Sequence, residues 1–115
     1  MVTVNFSKSD AAQDMINIIM SEKNLSASQA VKYAINEKIY RKIVEAGYAS
    51  IALMLWGHDD YDRKWKRLKN AFIEVDIDST SSKLIDDIME RESVDFTTAI
   101  TYFLLFTVET LGYHI

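Results

Sequence analysis

The second half of the chain repeats the first at a shift of 69 residues without a gap. Met15, Ile16, Ile19 and Met20 align with Leu84, Ile85, Ile88 and Met89; Leu25 aligns with Val94, and Ser26 with Asp95. Ala30, Val31 and Tyr33 align with Ala99, Ile100 and Tyr102. An alternating segment precedes each copy: Val2-Thr3-Val4-Asn5-Phe6, and Ile73-Glu74-Val75-Asp76-Ile77. Their apolar parity agrees at the same shift or at one two residues longer. Each copy is one strand and two helices, too little to bury its own apolar faces, so strand must pair with strand and the helices must close over the ribbon.

Chemistry-bearing residue types are scarce. The chain has 115 residues, 49% of them hydrophobic, with no proline, no cysteine and three glycines. That balance implies a globular, helix-rich chain, one compact domain or two small ones sharing a core. The lack of cysteine excludes disulfides, thiolate catalysis and cysteine metal sites, and fits a reducing, cytoplasmic setting. No basic-then-apolar leader opens the chain, and the apolar runs Tyr48–Trp56 and Tyr102–Phe106 are too short to span a membrane.

Period two over residues 2–6 and 73–77 predicts strands, with Val2, Val4, Phe6, Ile73, Val75 and Ile77 inward and Thr3, Asn5, Glu74 and Asp76 outward. Ser9 or Asp10 is placed to cap the first helix, whose stripe is Ala12, Met15, Ile16, Ile19 and Met20, and Asn24 to end it. Ser26 caps a second helix that continues past Ile39 as far as Gly47, and Tyr48–Trp56 reads as a short buried helix. A further helix opens at Asp59 or Asp60, with Tyr61, Trp65, Leu68 and Phe72 along one side. Asp95 caps a final helix that is apolar almost all round and therefore belongs in the middle, with Gly112 at its end.

These segments resemble the ribbon-helix-helix family of DNA-binding proteins, the Arc/MetJ/CopG-like repressors and RelB/DinJ-like antitoxins. The resemblance rests on Val2–Phe6, on the Met15/Ile16/Ile19/Met20 stripe and on Leu25-Ser26-Ala27-Ser28-Gln29-Ala30-Val31. It implies a mainly α fold with a short two-stranded antiparallel ribbon, built from two repeats as a pseudo-dimer within one chain or as a homodimer. The division is residues 1–46 as repeat 1, 47–70 as a helical connector with a basic face, and 71–115 as an acidic repeat 2.

The family lays its ribbon in the major groove and holds phosphates at the opening of its second helix. The resemblance thereby implies Thr3 and Asn5 as base readers and Lys8, Ser26, Ala27 and Ser28 as phosphate contacts. Tandem units of this kind resemble accessory proteins of conjugative plasmids. The partner so implied is double-stranded DNA, and the function that of a sequence-specific regulator.

Charge separates the copies. Residues 1–46 hold six Lys/Arg against five Asp/Glu, residues 47–72 five against three, and residues 73–115 two against nine. In repeat 2 the outward positions Glu74 and Asp76 and the cap Asp95 would face phosphates with no nearby cation. If the copies pair within one chain, Thr3 and Asn5 share a ribbon with carboxylates, a poor DNA reader. If two chains pair through their first copies, a palindromic site is readable. The rival function is a protein-binding module whose acidic second repeat engages a basic protein partner.

Arg63, Lys64, Lys66, Arg67 and Lys69 form a basic run that is either an ordinary solvated helix face, a set of phosphate contacts, or a partner for the acidic repeat. His58 and Asp62, with Asp59 and Asp60, read as a polar turn and cap rather than a metal site. No nucleophile–base arrangement or glycine-rich phosphate loop is present, so the expectation is a non-enzyme without cofactor or metal.

Overall fold

The computed structural model describes residues 1–56 and 68–113. The protein is mainly helical with one short antiparallel ribbon. In chain order it runs β1 (Val2–Asn5), α1 (Asp10–Lys23), α2 (Ala27–Ala34), α3 (Glu37–Ala46), α4 (Ala49–Leu55), β2 (Phe72–Val75), α5 (Ser79–Glu92) and α6 (Phe96–Thr110).

The 69-residue spacing recurs in the caps. Ser9 accepts from the Ala12 N–H to open α1, and Asp78 accepts from the Ser81 N–H to open α5, each 69 residues from its counterpart. Both helices are 14 residues long and end in a left-handed residue, Asn24 at φ 55° and Ser93 at φ 53°. The following N–H groups, of Leu25 and Val94, return to the oxygens of Met20 and Met89, each at 3.1 Å. These are the αL endings that leave a chain free to reverse into the next helix.

β1 and β2 pair with each other, antiparallel, in the register Val2↔Val75, Thr3↔Glu74, Val4↔Ile73 and Asn5↔Phe72. Val4, Phe6, Ile73 and Val75 are buried, whereas Val2 is 39% exposed. The strands therefore follow the same 69-residue shift as the helices, with Val4 facing its own repeat counterpart, Ile73. The expected faces hold for Val4, Phe6, Ile73 and Val75 and for the exposed Thr3, Asn5, Glu74 and Asp76, but the counterparts change: those of Thr3 and Asn5 are Phe72 and Glu74, and Asp76 lies just beyond the end of β2. Alternation alone could not choose between the two shifts, because Val2 and Ile77 extend the apolar pattern at either end.

α6 is the centre of the fold. Every residue from Ala99 to Val108 is buried, and α1, α2, α3, α4 and α5 all pack on it. Phe6, Met15, Ile16, Ile19, Ile85, Ile88, Phe103 and Leu104 are among the large side chains fully buried in the core.

The copies differ where the first was expected to carry one helix through to Gly47. That helix stops at Ala34, and α3 starts afresh at Glu37. Asn36 makes the break: its Oδ1 accepts from the Ile39 N–H at 2.9 Å, and its Nδ2 donates to the Tyr33 oxygen at 3.0 Å. A capping side chain thus outcompetes the continuing helix. The new direction lets α3 reach α5, where the Tyr40 hydroxyl donates to Asp87. α4 was expected to be buried but is buried on one side only, through Ala49 and Ala52, while Ile51, Met54 and Leu55 are exposed.

Candidate functional site

The outward face of the ribbon carries Thr3, Asn5, Phe72 and Glu74, all exposed. The Phe6 N–H donates to the Ala71 oxygen at 2.9 Å. Counting back by alternation, Val4/Ile73 and Val2/Val75 are hydrogen-bonded pairs. The main-chain groups of Thr3, Asn5, Phe72 and Glu74 therefore point to the outer edges of the ribbon. Gln13, buried at 4% exposure, joins the segments next to the two strands. Its Nε2 donates to the Phe6 oxygen at 3.0 Å, and its Oε1 accepts from the Leu68 N–H at 3.2 Å. It pins both the exit from β1 and the approach to β2, and nothing in its local sequence marks it out.

The residues expected to contact DNA divide into two groups on opposite sides of the ribbon. Thr3, Asn5 and Lys8 lie on the β1 side. There Asn5, Lys8 and Ser9 share a cleft of about 380 Å³ with Asp95, Thr97 and Thr98 at the opening of α6. Ser26, Ala27 and Ser28 open α2, which packs on β2. The Ser28 hydroxyl donates to the Glu74 main-chain oxygen. Each repeat's second helix thus opens beside the other repeat's strand. The Asn5 Oδ1 already accepts the Ser7 N–H at 2.9 Å, so its carboxamide is partly engaged. Ser26 is engaged in a reciprocal cap with Gln29, each side chain accepting from the other residue's N–H.

Carboxylates hold several positions around this face. Glu74 stands opposite Thr3. Asp76 is not without a cation, as had been expected, for Lys32 Nζ lies 3.3 Å from its Oδ2. Hydrogen bonds from the Thr98 hydroxyl and main-chain N–H hold the Asp95 carboxyl below the usual range, so it is charged at neutral pH. The Ser81 main-chain N–H, with its hydroxyl, does the same for Asp78. Arg63, Lys64, Lys66 and Arg67, together with His58, Asp59, Asp60, Asp62 and Trp65, lie outside the described residues. Among the described residues no cluster of His, Asp or Glu has the arrangement of a metal site, and no helix is long and apolar enough to cross a membrane.

Phe72, 54% exposed, was not expected on this face. The 69-residue shift carried the signal, since it aligns Phe72 with Thr3. Compared with family models, curated proteins and solved structures, the chain matches none.

Proposed function

We propose that the chain is a tandem ribbon-helix-helix unit in which one chain supplies both halves of the pseudo-dimer, and that its ribbon face binds a protein partner of basic character. The observation that carries this reading is the pairing of Thr3 with Glu74 in one ribbon. Strands of two different repeats occupy the positions that would read bases, and one of those positions is a carboxylate. Duplex DNA presents a dense phosphate array on both sides of the groove. Glu74 on the face and the charged Asp95 beside β1 oppose entry into that field.

The same face suits a cationic side chain. Phe72 offers an exposed ring, and Glu74, two residues along the same strand, offers a carboxylate on the same side. An arginine can stack on the first and pair with the second. The net charge of −4 favours the encounter.

A second reading, a DNA-binding regulator, has its own support. The first turn of α2 contains no acidic residue, so its opening N–H groups favour an anion. The basic run Arg63, Lys64, Lys66, Arg67 and Lys69 also precedes Phe72 closely in the sequence.

Anisotropy titrations of a labelled arginine-rich peptide and of a mixed-sequence DNA duplex, each at low and high salt, separate the two. The protein-binding reading expects the peptide to bind, Glu74→Lys and Phe72→Ala each to weaken it, and the duplex to stay free at low salt. Salt-sensitive duplex binding that Asn5→Ala and Lys8→Ala reduce would establish the DNA reading instead.

A further inference from the structure

The two edges of the ribbon are finished differently. On the β2 edge, Ser28 of α2 donates to the outward oxygen of Glu74, and Lys32 one turn later pairs with Asp76. A shift of 69 places Thr97 and Thr101 of α6 at the matching positions beside β1. Neither repeats the contact. The Thr101 hydroxyl turns back to the Thr97 main-chain oxygen at 2.8 Å and is buried. Thr97 instead lines the cleft of about 380 Å³ that separates α6 from Asn5 and Lys8.

We infer that this open β1 edge is a docking edge for an extended polypeptide segment of a partner protein, one that carries an acidic side chain. The outward N–H and C=O groups of Thr3 and Asn5 have no partner among the described residues, and an unpaired strand edge is a template for a further strand. Lys8 stands exposed at the end of this edge and forms no ion pair among the described residues. The neighbouring Asp95 carboxylate, held by the Thr98 N–H at the opening of α6, keeps its charge, so the acidic side chain of the segment belongs at Lys8 and not against α6. An incoming segment therefore finds main-chain partners along β1, a cation at Lys8 that is unpaired among the described residues, and the threonines of α6 to receive small side chains. This edge adjoins the outward face, to which Thr3 and Asn5 turn their side chains.

The test is an NMR titration of the whole protein with a probe peptide of alternating valine and threonine ending in glutamate, blocked at both termini. The expected result is slowed amide exchange at Thr3 and Asn5, with shifts confined to these residues, Lys8, Thr97 and Thr98. Thr3→Pro removes an outward donor without removing a ladder hydrogen bond, and an edge strand tolerates it. It should weaken binding about tenfold, as expected for one lost hydrogen bond. Lys8→Glu, which leaves the strand untouched, should also weaken binding, whereas a probe ending in lysine should bind Lys8→Glu better than it binds the parent protein. Absence of binding at millimolar probe overturns the inference. So do shifts centred on Phe72 or on the Ser28–Glu74 edge, or equal affinity in Lys8→Glu. Because the probe carries no arginine, its failure leaves the ribbon-face reading to its own titration.

Discussion

Ser28, in the first turn of α2, donates its hydroxyl hydrogen to the main-chain oxygen of Glu74, 46 residues further along the chain. The bond ties the helix of one repeat to the outer edge of the other repeat's strand. It closes one side of the ribbon, and among the described residues Thr97, at the equivalent position, makes no such bond.

The first prediction follows from that asymmetry. Ser28→Ala should lower stability by about 1 kcal/mol, the ordinary net value of such a bond. Thr97→Ala, at the matching position in repeat 2, should cost less, because its hydroxyl holds no strand. Urea unfolding midpoints of the two variants, compared at equal m, give the difference.

Gln13 should matter more than any exposed residue of the face. Its carboxamide satisfies the Phe6 oxygen and the Leu68 N–H from a buried position. Gln13→Ala takes the acceptor from the Leu68 N–H and leaves the Phe6 oxygen with the Ser9 N–H alone, at roughly 1–3 kcal/mol. Chemical denaturation measures the loss, and amide exchange at Phe6 and Val4 should accelerate with it.

The endings of α1 and α5 supply a stabilising change. Ser93 sits at φ 53° and Asn24 at φ 55°. Asparagine visits this region readily and serine less so. Ser93→Gly should therefore raise stability by a few tenths to about 1 kcal/mol, the relief of the left-handed residue less the entropy cost of glycine. Asn24→Gly should gain less. Thermal midpoints of the two variants rank them.

Acid should loosen the joint between α3 and α5. The hydrogen bond from the Tyr40 hydroxyl, with a further one from Arg91, holds the Asp87 carboxyl below its ordinary value. The stability this contributes is fully present above the unfolded value of about 3.9 and is lost as pH falls through the lower folded value. The same bond raises Tyr40, so its contribution is present below the unfolded tyrosine value of about 10 and is lost as pH rises through the folded one. In Tyr40→Phe, the Asp87 titration followed by carbon NMR should move up towards the ordinary range, and the acid unfolding limb should flatten.

Much of this arrangement was legible in the sequence because it depends on local chemistry. The caps Ser9, Ser26 and Asp95 and the ending at Asn24 are written in local residue types, and the apolar length of α6 required a central place. What escaped depends on contacts across the chain. The break at Asn36 sits within an apolar stripe that continues past it, and only its capping side chain announces it. The choice of strand shift turned on whether Val2 or Phe6 lay at the edge of the buried face, which the packing of the two strands decides. The Tyr40–Asp87 contact and the clamp of Gln13 on Leu68 join residues 47 and 55 positions apart, and composition carries no trace of either. The candidate site divided across the ribbon for the same reason: α2 crosses to β2, so Ser26 and Ser28 leave Thr3 and Asn5 behind.

The central claim is that one chain supplies both strands of the ribbon, and a disulfide tests it directly. Thr3 and Glu74 form a non-hydrogen-bonded antiparallel pair, a geometry with Cα atoms about 4.5 Å apart that lies within disulfide reach. The natural chain contains no cysteine to interfere. The doubly substituted protein, Thr3→Cys with Glu74→Cys, should oxidise within the single chain at every protein concentration and run as a monomer on non-reducing gels. Covalent dimers that increase with concentration, with free thiols left in the monomer, would mean that the ribbon forms between chains and would contradict the account.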